Sequence, residues 1–190
     1  MLIINLWGGP GAGKSTVAAE VFVLLRQHTS ANVELTNEFA TDLCFERAKE
    51  NLKDQPYLLG NQWHRLWRLA ALGVDVAVCD SPIGLGAAYL ENKPLEPYWK
   101  EMQQPYLDLM RSMRKAYPSV DIWLDRDVYA TGGFKGNSKK KVNNWINQLD
   151  KRIQKEADAE YNVLFSKQAG REVFELVVPF VRRFVDEPNR

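Results

Sequence analysis

Apolar and polar positions alternate along the chain in blocks that predict strands and helices in turn. Leu2-Ile3-Ile4-Asn5-Leu6-Trp7 predicts a buried strand, and from Lys14 to about Gln27 apolar residues recur at helical spacing. The same patterns predict further strands at 33–35, 74–80, 120–124 and 161–165, and further helices at about 39–51, 55–72, 97–116, 142–157 and 170–184.

This order of elements predicts an α/β fold. Strands that alternate with helices form a mainly parallel sheet with right-handed crossovers, so we expect a doubly wound, five-stranded sheet with helices on both faces. With 190 residues, of which 45% are hydrophobic, the chain fits a single domain over residues 1–190. Ligands of such folds bind at the carboxyl ends of the strands, so polar residues there are the candidates for chemistry.

A glycine-rich loop joins the first strand to the first helix: Gly8-Gly9-Pro10-Gly11-Ala12-Gly13-Lys14-Ser15. Glycines let the backbone curl with its N–H groups inward, and the helix N-terminus adds partial positive charge. The pattern predicts a P-loop, or Walker A loop, that binds ATP, with Lys14 on the outer phosphates, Ser15 on Mg²⁺ and Thr16 in support. A chance match to a tight turn is disfavoured by the flanking strand and helix.

Two acidic residues follow predicted strands. Asp80 ends the third strand and could hold Mg²⁺ directly or through water; a helix cap before Ser81 is the alternative. Motor and AAA-type ATPases usually place a glutamate after this aspartate to activate water, so Ser81 disfavours hydrolysis as the main reaction. Glu38 ends the second strand and could be the general base for an acceptor hydroxyl, or only a surface carboxylate favoured by a helix dipole.

The helix before the third strand carries Gln62 and Arg65, three residues apart. On one helix face they could read a planar polar group such as a nucleobase edge. The alternative is a core formed by Trp63 and Trp67 beside a solvated arginine face. The chain's two cysteines, at positions 44 and 79, are expected to be reduced thiols in the core.

A basic stretch follows the fourth strand. Residues 126–155 contain eight Lys or Arg against two Asp or Glu, although the whole chain has a net charge of only +1. We expect the glycine- and lysine-rich loop at 126–141 to act as a lid that brings Arg126 or a lysine onto the transferred phosphoryl group. The stretch would also suit a DNA backbone, and a solvated lysine face is the plain alternative.

The apolar runs are shorter than a membrane span, and the first residues lack the pattern of a signal peptide. We therefore expect no membrane association and a cytoplasmic protein, in the host cytoplasm if the chain is viral.

On these residues the chain resembles the P-loop nucleoside and nucleotide kinases, and most closely a phage-encoded P-loop kinase family often labelled AAA-like ATPases. In the deoxynucleoside kinases that it looks like, an acid after the second strand is the base and a glutamine on the following helix reads the nucleobase, which implies these roles for Glu38 and Gln62. One branch of the phage group is similar to kinases that phosphorylate 5-hydroxymethyluracil in DNA. The resemblance rests on Ile3 to Thr16, Thr36-Asn37-Glu38-Phe39-Ala40, Asp54-Gln55 with Gln62, and Val78-Cys79-Asp80-Ser81-Pro82.

The expected function is therefore an ATP- and Mg²⁺-dependent kinase that phosphorylates a hydroxyl of a nucleoside, a nucleotide or a modified base, including 5-hydroxymethyluracil in phage DNA. The residues expected to carry catalysis are Lys14, Glu38, Asp80 and Arg126. Two alternatives stay open: an ATPase that drives a partner or a conformational change, and a nucleotide-binding module without turnover.

Overall fold

The strands of the chain form one parallel sheet. The computed structural model describes residues 1–47, 49–90, 97–124, 148–154, 163–166 and 170–186. Neighbouring strands in the sheet are all parallel, and their order is β2-β3-β1-β4-β5. The strands are β1 (Leu2–Trp7), β2 (Val33–Thr36), β3 (Val76–Cys79), β4 (Ser119–Leu124) and β5 (Val163–Ser166).

Helices occupy the connections between these strands. They are α1 (Lys14–His28), α2 (Phe39–Phe45), α3 (Gln55–Ala71), α4 (Leu85–Leu90), α5 (Pro97–Lys115), α6 (148–154) and α7 (Gly170–Asp186), with a 3-10 helix at Lys49–Lys53.

Two parts of the helix prediction are wrong. The helix predicted at about 39–51 ends at Phe45, and Arg47 adopts a left-handed backbone conformation with φ of 59°, which a continuing helix does not allow. Helix α4 was not predicted, because six residues are too few to display a helical period.

Alternate residues of the central strand β1 face opposite layers of helices. Leu2, Ile4 and Leu6 are buried in a cluster that includes buried residues of α1 and α7. Ile3 faces the other layer and packs with buried residues of α3 and α5. Full burial of each large aliphatic side chain stabilises the fold by roughly 1.5–3 kcal/mol. The predicted doubly wound α/β fold, with a parallel sheet covered on both faces, is confirmed.

A third, smaller cluster fixes α6 beside the carboxyl ends of β1 and β4. Trp7 and Trp123 are paired in register near the ends of these strands, and they are buried against Leu149 and Ile153 of α6. This packing holds one turn of α6 next to the glycine-rich loop that follows Trp7.

Only one of the two cysteines is in the core. Cys79 is fully buried in β3, as expected, whereas Cys44 is exposed on α2, so the prediction for Cys44 is wrong. Helix α2 has only Leu43 among its buried residues, and the pattern of seven residues did not reveal which face is covered. Among the helices described, none is both long and apolar enough to cross a membrane.

Candidate active site

The glycine-rich loop adopts a conformation that its glycines make accessible. Gly11 and Gly13 have φ of 76° and 81°, in the left-handed region that other residues rarely adopt. A Cβ at Gly8 would stand 3.0 Å from the Cβ of Ala12. Among the described residues, no side chain caps the N-terminus of α1 and no acid lies in its first turn. The first amides of α1 are therefore placed to bind an anion.

Two hydrogen bonds hold Gly9 of the loop, one from within the loop and one from α6. The Lys14 Nζ donates a hydrogen bond to the carbonyl oxygen of Gly9 at 3.1 Å, so the lysine side chain folds back along the loop. The N–H of Gly9 donates to the Asp150 carboxylate of α6 at 2.9 Å. Asp150 is a site residue that sequence reasoning missed, because it is an isolated acid within a strongly basic stretch.

Asp80 lies directly after β3 and reaches the start of α1. Its Oδ2 accepts a hydrogen bond from the Ser15 hydroxyl at 2.6 Å, and the residue is 3% exposed. Its Oδ1 is buried and has no hydrogen-bond partner among the described residues. Because β3 is adjacent to β1 in the sheet, the glycine-rich loop after β1 and Asp80 after β3 lie close together.

These oxygens fit a magnesium ion. Mg²⁺ prefers hard oxygen ligands and usually binds through one or two protein groups together with substrate phosphates and water. The Asp80 Oδ1, which has no described hydrogen-bond partner, and the Ser15 hydroxyl supply such ligands beside the glycine-rich loop. Within the described ranges no group of three or more His, Cys, Asp or Glu forms a metal cluster elsewhere.

Glu38 follows β2 and precedes the first residue of α2. Its backbone is extended, with φ of −62° and ψ of 123°, and its Oε2 accepts a hydrogen bond from the Thr41 hydroxyl at 3.1 Å. Since β2 lies beside β3, Glu38, Asp80 and the glycine-rich loop all lie at the edge formed by the carboxyl ends of the strands. The sequence analysis expected the candidate residues at these carboxyl ends.

A cavity of about 330 Å³ extends along this edge. Pro10 of the glycine-rich loop and Glu38 both line the cavity, and so do Gln62 and Ser81. Its volume lies at the lower end of the range for sites that bind small molecules. The apolar part of its wall includes Phe39, Leu58, Leu59, Pro82, Ile83, Leu85 and Tyr89.

Gln62 and Arg65 stabilise the start of α2, which was not anticipated. The Gln62 Oε1 accepts a hydrogen bond from the Phe39 N–H at 3.1 Å, and its Nε2 lies 3.7 Å from the Cys79 sulfur. The Arg65 guanidinium donates to the Asn37 carbonyl at 3.0 Å and forms an ion pair with Asp42. It also lies over the Phe39 ring, 5.2 Å from the centroid.

The two side chains therefore differ in their relation to the cavity. Gln62 is 7% exposed and lines the cavity, whereas the residues found to line it do not include Arg65. The neighbouring Trp67 is half exposed, so it is not a core residue, while Trp63 packs partly buried against the α3–α5 core.

The predicted lid at 126–141, with Arg126, lies outside the described residues. Of the basic stretch at 126–155, only 148–154 is described, as helix α6.

Comparison with solved structures shows which known fold this chain shares. Neither a protein-family model nor a curated protein matches the chain. The structure is similar to the crystal structure of thymidylate kinase from Ehrlichia chaffeensis, with a TM-score of 0.57 over 95% of this chain and 98% of that chain. The chain shares the fold of this thymidylate kinase. The two sequences are 15% identical, so the similarity concerns the fold and not the substrate. Within this fold, the glycine-rich loop and the cavity lie at the same edge of the sheet.

Proposed function

We propose that this chain is an ATP- and Mg²⁺-dependent phosphotransferase that phosphorylates a hydroxyl group of a nucleoside, a nucleotide or a modified base. One observation carries the proposal: a single cavity is lined by Pro10 of the phosphate loop and by the Glu38 carboxylate. A hydroxyl compound in this cavity would lie between the phosphate donor and a proton acceptor. Catalysis would then consist mostly of positioning and charge neutralisation.

The donor side consists of the loop and the adjacent strand end. The amides at the start of α1 would hold the phosphates, and Lys14, now hydrogen bonded to Gly9, would turn to the outer phosphates. Ser15 and Asp80 would hold Mg²⁺, which when bound neutralises phosphate charge. Asp80 would exchange its contact with the serine hydroxyl for one with the cation, and its buried Oδ1 would gain a partner.

The acceptor side consists of the cavity and Glu38. The Glu38 carboxylate would take the proton of the acceptor hydroxyl, whose oxygen forms a bond to the γ-phosphorus as the bond to the β,γ-bridging oxygen breaks. The products are ADP and a phosphate ester. A lid at 126–141 that carries Arg126 would complete the neutralisation of charge.

The fold supports the proposed class of acceptor. A P-loop kinase fold supports a nucleotide-type acceptor. For a modified base such as 5-hydroxymethyluracil in phage DNA, the eight Lys and Arg residues at 126–155 would bind the backbone. The whole chain would form a single cytoplasmic domain.

The direct test is transfer of label from [γ-³²P]ATP to a panel of nucleosides, nucleotides and 5-hydroxymethyluracil-containing DNA. We expect label in at least one acceptor, and the Lys14→Ala variant should lose this transfer. Lys115→Ala, at the end of α5, is the matched control and should keep it. Rapid ATP hydrolysis without dependence on any acceptor would favour an ATPase instead, and tight ATP binding without any product would favour a binding module.

A further inference from the structure

A second polar group of residues lines the cavity away from the phosphate loop. Tyr106 of α5 and Gln55 at the start of α3 both line the cavity and are each only 5% exposed. The Tyr106 Oη and the Gln55 Oε1 lie 2.6 and 3.7 Å from the point where a Cβ at Gly86 would stand. The Tyr106 hydroxyl therefore packs directly against Gly86, where no side chain fits, and both oxygens lie at this part of the cavity wall.

Tyr106 lines the cavity and carries a hydroxyl that can donate a hydrogen bond. No hydrogen bond to its Oη is formed by any residue that the structure describes, although the ring is packed in the core between α3 and α5. Burial raises the pKa of Tyr106 to about 12, so the phenol remains a hydrogen-bond donor at neutral pH. Because Tyr106 lines the cavity, a ligand bound there can accept a hydrogen bond from this hydroxyl.

Gln55 presents the complementary group. Its Nε2 donates a hydrogen bond to the Leu52 carbonyl at 3.0 Å, which fixes the orientation of the amide and leaves the Oε1 as an acceptor toward Gly86. Gln62 differs, because its Oε1 already accepts a hydrogen bond from the Phe39 N–H. Of these two glutamines, Gln55 is the one whose oxygen accepts no hydrogen bond from the described residues.

We propose that Tyr106 and Gln55 determine which acceptor binds, by reading the amide edge of a neutral heterocycle. The Tyr106 hydroxyl would donate to a ring carbonyl oxygen, and the Gln55 Oε1 would accept from the adjacent ring N–H. Uracil-type rings carry this edge, whereas cytosine presents the reverse order of donor and acceptor. This inference rests on the proposed function, in which the cavity is the acceptor site.

Calorimetry with defined nucleosides tests the inference without requiring turnover. Deoxyuridine, N3-methyldeoxyuridine and deoxycytidine are titrated into the protein saturated with a non-hydrolysable ATP analogue. We expect deoxyuridine to bind the wild type about tenfold or more tightly than the other two, since each of these leaves a buried polar group unpaired.

The decisive variant is Tyr106→Phe. This variant removes one hydroxyl and breaks no described hydrogen bond, so the midpoint of thermal unfolding should not fall. Its affinity for deoxyuridine should fall roughly fivefold to tenfold. Where deoxyuridine is phosphorylated, its KM should rise by the same factor and the KM for ATP should not change. Tyr117→Phe makes the same chemical change beside the same core and should leave affinity unaltered.

Gly86→Ala gives an independent check. The added Cβ would clash with the Tyr106 hydroxyl, so this variant should also bind deoxyuridine more weakly. Equal deoxyuridine affinity in Tyr106→Phe and the wild type would overturn the inference, as would failure of all three nucleosides to bind. Binding that responds to the variants as expected, but without phosphate transfer to any acceptor, would refute the proposed function and leave the recognition site standing.

Discussion

The Ser15 hydroxyl and the Asp80 carboxylate are joined by a hydrogen bond of 2.6 Å between the start of α1 and the end of β3. The second oxygen of Asp80 is buried without a partner in the described part of the chain. A hydroxyl and a carboxylate in this arrangement can exchange their mutual contact for a shared cation. The pair therefore marks the position of the metal in the proposed reaction.

Replacement of Asp80 by asparagine should reduce kcat about a hundredfold and raise the Mg²⁺ concentration for half-maximal activity, because the amide keeps the shape but loses the charge. The amide oxygen can still accept the Ser15 hydrogen bond, so the fold should persist. Activity measured across a Mg²⁺ titration checks this. Asp108→Asn, at an exposed position on α5, should show neither effect, and an unchanged Mg²⁺ requirement in Asp80→Asn would contradict the assignment.

Replacement of Glu38 by glutamine should lower kcat about a hundredfold or more while the KM for ATP stays near its original value, because the proton acceptor is lost but the phosphate loop is untouched. Initial rates at varied ATP and acceptor concentrations separate the two parameters. Glu34→Gln, on the β2 strand that precedes Glu38, serves as the control; Glu34 is paired with Arg26. If Glu38→Gln raised mainly the KM for ATP, the carboxylate would belong to the donor side.

The ion pair between Arg65 and Asp42 should couple α2 to α3. Arg65→Ala and Asp42→Ala should each destabilise the protein, and the double variant should lose about 0.5–1 kcal/mol less than the sum of the two, since the pair is partly exposed. Urea unfolding of the four proteins measures this coupling. Strict additivity would show that the two side chains do not interact in solution.

The two cysteines should differ in reactivity. Burial raises the pKa of the Cys79 thiol to about 12, so at pH 8 it stays protonated and unreactive, whereas Cys44 is exposed. Iodoacetamide at pH 8 should therefore add one group to the native protein, at Cys44, and a second only in denaturant. Mass spectrometry identifies the sites. Because Cys44 lines the cavity, a bound acceptor should also slow its labelling.

The amino-acid pattern predicted the strands well because most of them are short apolar segments, and an apolar run is a local property of the chain. Prediction of α2 failed where the backbone turns left-handed at Arg47, and α4 was too short to give a period. The hydrogen bonds of Gln62 were equally inaccessible, because its partner Phe39 lies 23 positions away along the chain.

By itself the sequence determined the glycine-rich loop and the order of strands and helices, because glycine conformations, hydrophobic periods and helix starts are local properties. Only the tertiary structure decided which side chains share the cavity. Tyr106 and Gln55 come from helices separated by β3 and α4, and they meet beside Gly86 because the packing of these helices on one face of the sheet brings them there. Asp80 and Ser15 meet for a similar reason, since β3 is hydrogen bonded to β1 although the two strands are far apart in the chain.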